Sequence, residues 1–404
     1  MRMHSIHLLV EKCLGCTHCL KVCPVDAIRV RDQKARINER LCIDCGECVR
    51  ICPYQAHQIV VDDFNMIYDS PYRILIVPPS FWGQFPDYSV EILLAALQQI
   101  GFMAVVSESV GYHLFLEQIH QFLVENQNTH RSFIIPDCPA VVRLIFSRFP
   151  SLIPNIIPIK NSLEITSCFA DYYFRNTLAI RDFSIYCLST CSAKVTAIKA
   201  PIGEKNSLIK GAFSIRDFYN RINSIEKKHL ALSDDFVFLY NNPKTLPILP
   251  DFNLLNINGC PYVSDIFDKL ENNQSYNLDV INPYYCEHGC ENGILQVQNP
   301  FLAEIFLKRK VLPGHPLDID LSEVPFNLYL SENLNRISFM DDSQGLLIKL
   351  QNLQKIEQLY STLPHLDCGG CGSPSCYTFA EDVIRDHLDI NRCVFRKNEG
   401  GDQA

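Results

Sequence analysis

Cys286-Glu-His-Gly-Cys290 sets two thiols four residues apart, between Asn282-Pro283 and Asn292-Gly293. Two thiolates are half a site, because an iron–sulfur cluster or a tetrahedral zinc takes four protein ligands. The plainer reading, two free cysteines in a turn, must be set against 19 cysteines in 404 residues. Many of these fall in C-x2-C repeats. Met1 to Val10 lacks the basic segment and long apolar run of a signal peptide. Clustered thiols without an export signal point to metal or clusters in a reducing cytoplasm rather than to disulfides, and to an oxygen-sensitive protein of an anaerobe.

Composition bounds the rest. An apolar content of 47% with 20% charged residues is that of folded globular protein. The length suits two to four domains. The net charge of −9, with no basic stripe, argues against nucleic acid as a partner. No apolar run reaches the ~18 residues of a membrane span.

The most complete thiol pattern lies at the start. Cys13-x2-Cys16-x2-Cys19-x3-Cys23-Pro24 is repeated as Cys42-x2-Cys45-x2-Cys48-x3-Cys52-Pro53. This is the two-cluster ferredoxin pattern, in which the fourth cysteine of each run ligates the other cluster. One [4Fe–4S] cluster is expected on Cys13, Cys16, Cys19 and Cys52, the other on Cys42, Cys45, Cys48 and Cys23. Zinc is the alternative occupant. Ala27–Val30 and Ala35–Ile37 read as a short hairpin within this 1–70 domain.

The elements that must position the remaining thiols come next. Buried strands are expected at 73–77, 102–106 and 132–136, then in a second set at 183–187, 236–240 and 278–281. Helices are expected at 90–100, 112–124 and 261–270. Strands alternating with helices imply parallel βαβ units, with ligands beyond the carboxyl ends of strands. Cys138, Cys191 and Cys286 each follow such a strand. With Cys290 they make four ligands delivered to one crevice between two α/β lobes, over residues 71–315.

These three loops resemble the signatures of the [FeFe]-hydrogenase catalytic domain, in the right order. The family's Thr-Ser-Cys-Cys-Pro-x-Trp loop reads Ile135-Pro136-Asp137-Cys138-Pro139-Ala140-Val141. Its Met-Pro-Cys-x-x-Lys-x-x-Glu motif reads Ser189-Thr190-Cys191-Ser-Ala-Lys194-Val-Thr-Ala197. Its Glu-x-Met-x-Cys-x-Gly-Gly-Cys motif reads Asn282-Pro-Tyr284-Tyr-Cys286-Glu-His288-Gly289-Cys290. The resemblance implies an H-cluster: a [4Fe–4S] cubane on Cys138, Cys191, Cys286 and Cys290, with Cys290 bridging to a diiron subsite. It also implies that Lys194 donates hydrogen bonds to that subsite's cyanide-type ligands.

The departures are equally specific. The family's proton-donating cysteine is Asp137, the glutamate ending the second motif is Ala197, and His288 replaces a glycine beside the cluster. Two methionines and the tryptophan are also gone. Asp137 reads either as a proton carrier or as a cap of the following helix. His288 is a ligand, a proton carrier or a plain loop residue. Lys194 is a functional group or a surface lysine. Cys168, Cys187 and Cys260 lack partners at ligand spacing and read as small buried hydrophobes.

A connector spanning 316–360 carries a helix at 346–359. In the last segment, 361–404, Cys368-x2-Cys371-x4-Cys376-x16-Cys393 supplies four more ligands around a helix at 377–386. This resembles the small iron–sulfur domain of the Rnf electron-transport complex and of corrinoid iron–sulfur proteins, which implies one further [4Fe–4S] cluster. Zinc is again the alternative.

Sixteen cysteines thus fall into four expected [4Fe–4S] sites. The expected fold is a two-lobed α/β hydrogenase-type domain with parallel sheets, after a small α+β ferredoxin domain and before a small helical iron–sulfur domain. The leading expectation is a cytoplasmic hydrogenase-like redox protein of the sensory kind, sensing H₂ or turning it over slowly with altered proton-transfer residues. Its partner is a ferredoxin-like or signalling protein. The alternative is an electron-transfer or cluster-assembly protein that keeps the cubanes and lacks the diiron subsite.

Overall fold

In the computed structural model, residues 4–395 are described apart from 130, 229, 242–248, 250, 273, 275, 315, 318–323 and 335–345. Much of the expected 316–360 connector therefore lies outside the described residues.

The first lobe contains β1 (Ile6–Leu8), α1 (His18–Lys21), β2 (Ile28–Arg31), β3 (Lys34–Ile37), α2 (Glu47–Ile51) and β4 (His57–Ile59). β1 pairs antiparallel with β4, and β2 with β3. The turns rely on left-handed backbone. Gly15, Thr17 and Asp26 have positive φ, and so do Asp44, Gly46 and Gln55, each 29 residues further on. The cysteines repeat with the same period, so the two halves share one backbone path as well as one thiol pattern.

The central region runs β5 (Tyr72–Val77), α3 (Val90–Ile100), β6 (Ala104–Ser107), α4 (Glu108–Glu125), β7 (Phe133–Ile134), α5 (Pro139–Arg148), α6 (Ser162–Tyr172), β8 (Phe183–Ser189), α7 (Ser192–Lys199), β9 (Ile209–Ser214), α8 (Ile215–Ser224), β10 (Val237–Leu239), β11 (Leu254–Asn258), α9 (Cys260–Glu271), β12 (Val280–Tyr284) and α10 (Pro300–Lys308). Five strands form one parallel sheet in the order β10-β6-β5-β8-β9, and three form another in the order β11-β12-β7.

Residues 74–77 of β5 are fully buried, as a sheet covered on both faces requires. Ile74 and Ile76 enter one apolar cluster and Leu75 and Val77 another, so alternate side chains serve opposite faces. Chain order suggests two successive sets of strands, but the sheets mix them. β7 leaves its sequence neighbours and pairs with β12, where Ile134 faces Ile281. This exchange brings the Cys138 loop to the Cys286 loop.

Two further differences from sequence matter for the site. α4 begins at Glu108, not at 112, because the Ser107 hydroxyl caps it by accepting from Ser109 N–H. The largely buried helix α6, which is not among the helices expected from sequence, packs on α4 at Gly111. A Cβ there would lie 2.2 Å from Thr166 Oγ1, so only glycine permits this approach.

The last lobe contains α11 (Leu346–Ser361) and α12 (Cys376–Arg385), with a small apolar core around Ile356, Leu363 and Phe379. No helix among the described residues is long and apolar enough to cross a membrane.

Candidate metal centre

Cys138 follows β7 at the N-cap of α5, and Cys191 follows β8 at the N-cap of α7. Cys286 and Cys290 follow β12. The four thiols line one small recess, with Thr190, Tyr285 and Gly293 in its wall. Two close approaches close the recess. Leu295 N–H donates to Thr190 C=O, and a Cβ on Gly293 would lie 2.2 Å from that same carbonyl. The Cys290 loop can therefore reach the Cys191 loop only through a glycine.

Burial pushes the Cys138 thiol up to about 11, against N–H groups of Tyr285, Val141 and Ala140 that favour its thiolate. Burial also raises Cys286 and Cys290 well above the usual thiol range, and the neighbouring thiolates add to it. Desolvated, mutually repelling thiolates at Cys138, Cys286 and Cys290 need a cationic core to ionise, while helix N-termini and N–H groups wait for the charge. That donor set fits an iron–sulfur cubane.

The other expected thiol sets also gather in space. Cys19 faces Cys13, Cys16 and Cys52, and burial raises it to about 12. Cys48 faces Cys45 and Cys23, and Cys42 faces Cys45 and Cys48. N–H groups of Ala35, Ala27, Asp44 and Ala56 donate to the sulfurs of Cys13, Cys23, Cys42 and Cys52. At the C-terminal end Cys371 faces Cys393 and Cys368, and Cys376 opens α12 in the same small core. Of the three unassigned cysteines, Cys187 is fully buried in β8, whereas Cys168 and Cys260 are half-buried.

Tyr285 joins two sets. Its hydroxyl points at Cys45 and its backbone N–H at Cys138. Cys23, Cys42, Cys45, Cys138, Cys191 and Cys286 all belong to one apolar cluster, built on α5, α9 and the first lobe.

Beyond Cys290 lies a cavity of about 410 Å³. Lys194 reaches it from α7, but its Nζ donates to Glu108 Oε1 at 2.5 Å, and both side chains are buried. Burial opposes the ammonium charge, yet Glu108, Cys290 and Asp137 outweigh it and hold Lys194 well above its ordinary range. Asp137 does not cap the helix that follows it, since Cys138 occupies the N-cap. Its Oδ1 accepts from Ser162 N–H at 3.0 Å and its Oδ2 from Tyr284 O–H at 2.9 Å. Burial and the Asp137 charge keep the Tyr284 and Tyr112 phenols neutral, Tyr112 with a pKa raised to about 12. His288 borders the cavity in left-handed conformation, its ring edge-on to Phe301.

Glu108 is the residue that sequence reasoning missed. A serine and an acid opening a helix directly after a buried strand was the available signal. Three carboxylates (Glu108, Asp137 and Glu291) face this cavity against one ammonium, and that ammonium is already paired.

Residues 72–207 match the family model of the iron only hydrogenase large subunit, C-terminal domain, and residues 6–53 that of the 4Fe-4S dicluster domain. Residues 363–395 match a model described as "Putative Fe-S cluster". The chain is an iron–sulfur protein related to the [FeFe]-hydrogenases. Cys138 and Cys191 fall inside the hydrogenase match, while Cys286 and Cys290 lie beyond it.

Solved structures agree on the fold. One is an [FeFe]-hydrogenase from work on oxygen inactivation through its H cluster 2Fe subcluster. It has TM-score 0.50 and 12% identity, covering 65% of this chain and 96% of that one. Another is a variant of [FeFe]-hydrogenase HydA1 from Chlamydomonas reinhardtii, with TM-score 0.50 and 11% identity, covering 60% and 87%. At this identity the likeness speaks for the fold alone. No curated protein matches the sequence.

Proposed function

We propose that the chain is an electron-transfer protein that keeps the cubane sites of the hydrogenase fold and has given up the diiron subsite. In this reading two [4Fe–4S] clusters sit in residues 1–70 and one sits on Cys138, Cys191, Cys286 and Cys290 within 71–315. A fourth sits on Cys368, Cys371, Cys376 and Cys393 within 361–404, after a connector at 316–360. The clusters supply one-electron chemistry. The protein's own part is to desolvate them, aim N–H groups at their sulfurs and keep neighbouring sites in contact. A redox partner protein in a reducing cytoplasm completes the path.

The observation that carries the relay is the shared apolar cluster around Tyr285, which touches a thiol of each of two sites. The loss of the diiron subsite rests on the Lys194–Glu108 pair and on Asp137, whose two oxygens are already hydrogen-bonded. A second reading, H₂ sensing or slow turnover, is favoured by one fact: Cys290 and Lys194 border the same cavity. Infrared spectroscopy of anaerobically matured protein decides between them. We expect no CO or CN stretching bands, with iron equal to about four cubanes. Such bands would establish the second reading, and iron well below that amount would defeat the first.

A further inference from the structure

The loop that carries Cys368 and Cys371 lies against α1 and β2 of the first lobe. Asp367 and Gly369, the chain neighbours of Cys368, both meet Lys21. Lys21 Nζ donates to Asp367 C=O, and a Cβ on Gly369 would lie 2.9 Å from Lys21 Cε and 3.2 Å from Leu20 Cδ2. Gly372, which follows Cys371, accepts at its C=O from Val30 N–H at 2.8 Å and from Arg31 Nη1 at 2.6 Å. A Cβ on Gly372 would lie 1.9 Å from Val30 O, so loop and strand meet backbone to backbone. Asp382 of α12 fixes the rest. Its carboxylate takes Arg29 Nε at 2.8 and 2.9 Å and Arg31 Nη2 at 2.7 Å, while Ser373 Oγ donates to it at 2.5 Å. Its side chain is 6% exposed. A buried carboxylate held by two guanidinium groups is costly to assemble unless one geometry satisfies it, so it selects that geometry.

Both contacts lead to the same ferredoxin thiol set. Leu20 follows Cys19 in α1. Val30 pairs with Ala35, whose N–H donates to Cys13 Sγ at 3.3 Å. Leu20, Val30, Cys13 and Cys19 share one buried apolar cluster. Cys13 and Cys19 are expected ligands of one cubane, and each of the docking glycines is the chain neighbour of an expected ligand of another. Tyr285, by contrast, reaches Cys45 of the second ferredoxin set from the recess. The contacts therefore order the four sites: the C-terminal set, the Cys13 set, the Cys42 set, then the recess.

We infer that the C-terminal lobe is a fixed end member of the relay rather than a separately tethered module. Its site exchanges electrons directly with the first lobe, beside Cys13 and Cys19. Arg29, Arg31 and Asp382 are positioning residues whose clasp holds the two sites in electronic contact. One site loses one electron and the other gains it; no bond breaks and no proton moves. The inference rests on the four-cubane reading given above.

The test is EPR of full-length, dithionite-reduced protein, with iron counted first in each variant. Spin coupling between reduced cubanes splits and broadens their signals and falls steeply with separation, so it reads the contact that electron exchange needs. Cys371→Ala removes the C-terminal cubane. It is expected to abolish one part of the wild-type splitting and to leave the part that arises between the two ferredoxin cubanes. Asp382→Asn touches no thiol. It is expected to keep the iron of four cubanes and to shrink that same part of the splitting several-fold. Should Asp382→Asn lose iron, Arg29→Gln, which leaves the Arg31 guanidinium in place, is read instead with the same expectation. A wild-type spectrum equal to that of Cys371→Ala plus one uncoupled cubane would overturn the inference. Undiminished coupling at full iron in the clasp variant would overturn the role given to the clasp. Wild-type protein with less iron than four cubanes would instead overturn the reading on which the inference rests.

Discussion

The ferredoxin thiol sets and the four-cysteine recess hold the same donors by opposite means. In the first lobe each set is one short run plus a cysteine from its repeat, and left-handed turns at matching positions shape both. In the recess three loops, remote in sequence, meet because β7 and β12 share one sheet while β8 belongs to another. Turn chemistry builds the first kind of site and sheet topology the second. The second therefore has more ways to fail, and its neighbourhood contains the buried Lys194–Glu108 pair.

That difference can be broken at Glu108. Glu108→Ala leaves the Lys194 ammonium buried without its carboxylate, and should cost about 3–5 kcal/mol in anaerobic urea unfolding. Loss below about 1 kcal/mol would mean the pair is hydrated and the cavity argument is wrong.

Glu164, on α6, serves as a control away from the four expected cluster sites. Burial raises its carboxyl to about 7. The folded state then holds a proton that the unfolded state has released, so stability falls as pH rises from about 4.5 to 7 and is level above. Glu164→Gln should remove that slope, adding up to about 3 kcal/mol at pH 8 and little at pH 4.5, with iron content unchanged. An identical slope in the variant would assign it to another group.

Gly293→Ala sharpens the comparison directly. Its Cβ must displace the Thr190 carbonyl, so we expect about 1–3 kcal/mol of destabilisation and loss of about one cubane of iron, with the ferredoxin-type signals retained. Gly15→Ala, strained at positive φ and 2.6 Å from Gln33 O, should do the reverse and spare the recess. Equal damage to both regions from either change would deny that the sites assemble independently.

The smallest effect is expected at Tyr285. Tyr285→Phe removes the hydroxyl aimed at Cys45 and should lower that cluster's reduction potential slightly, as read by a redox titration followed by EPR. An unchanged potential would remove Tyr285 from the electronic link and leave it a packing residue.

The sequence by itself determined much of this protein. Cysteine spacing with Pro24 and Pro53 prescribes the first lobe, because ligand, turn and repeat all lie within about forty residues. The alternation of buried strands and helices prescribed parallel sheets and put three cysteine loops at strand ends. Only the tertiary structure decided which strands share a sheet, since register and pairing depend on burial against remote partners. For the same reason it alone showed Lys194 committed to Glu108 and Asp137 bound by Ser162 and Tyr284 rather than capping α5. The clasp of Arg29 and Arg31 on Asp382 joins residues some 350 positions apart, so no local pattern could announce it.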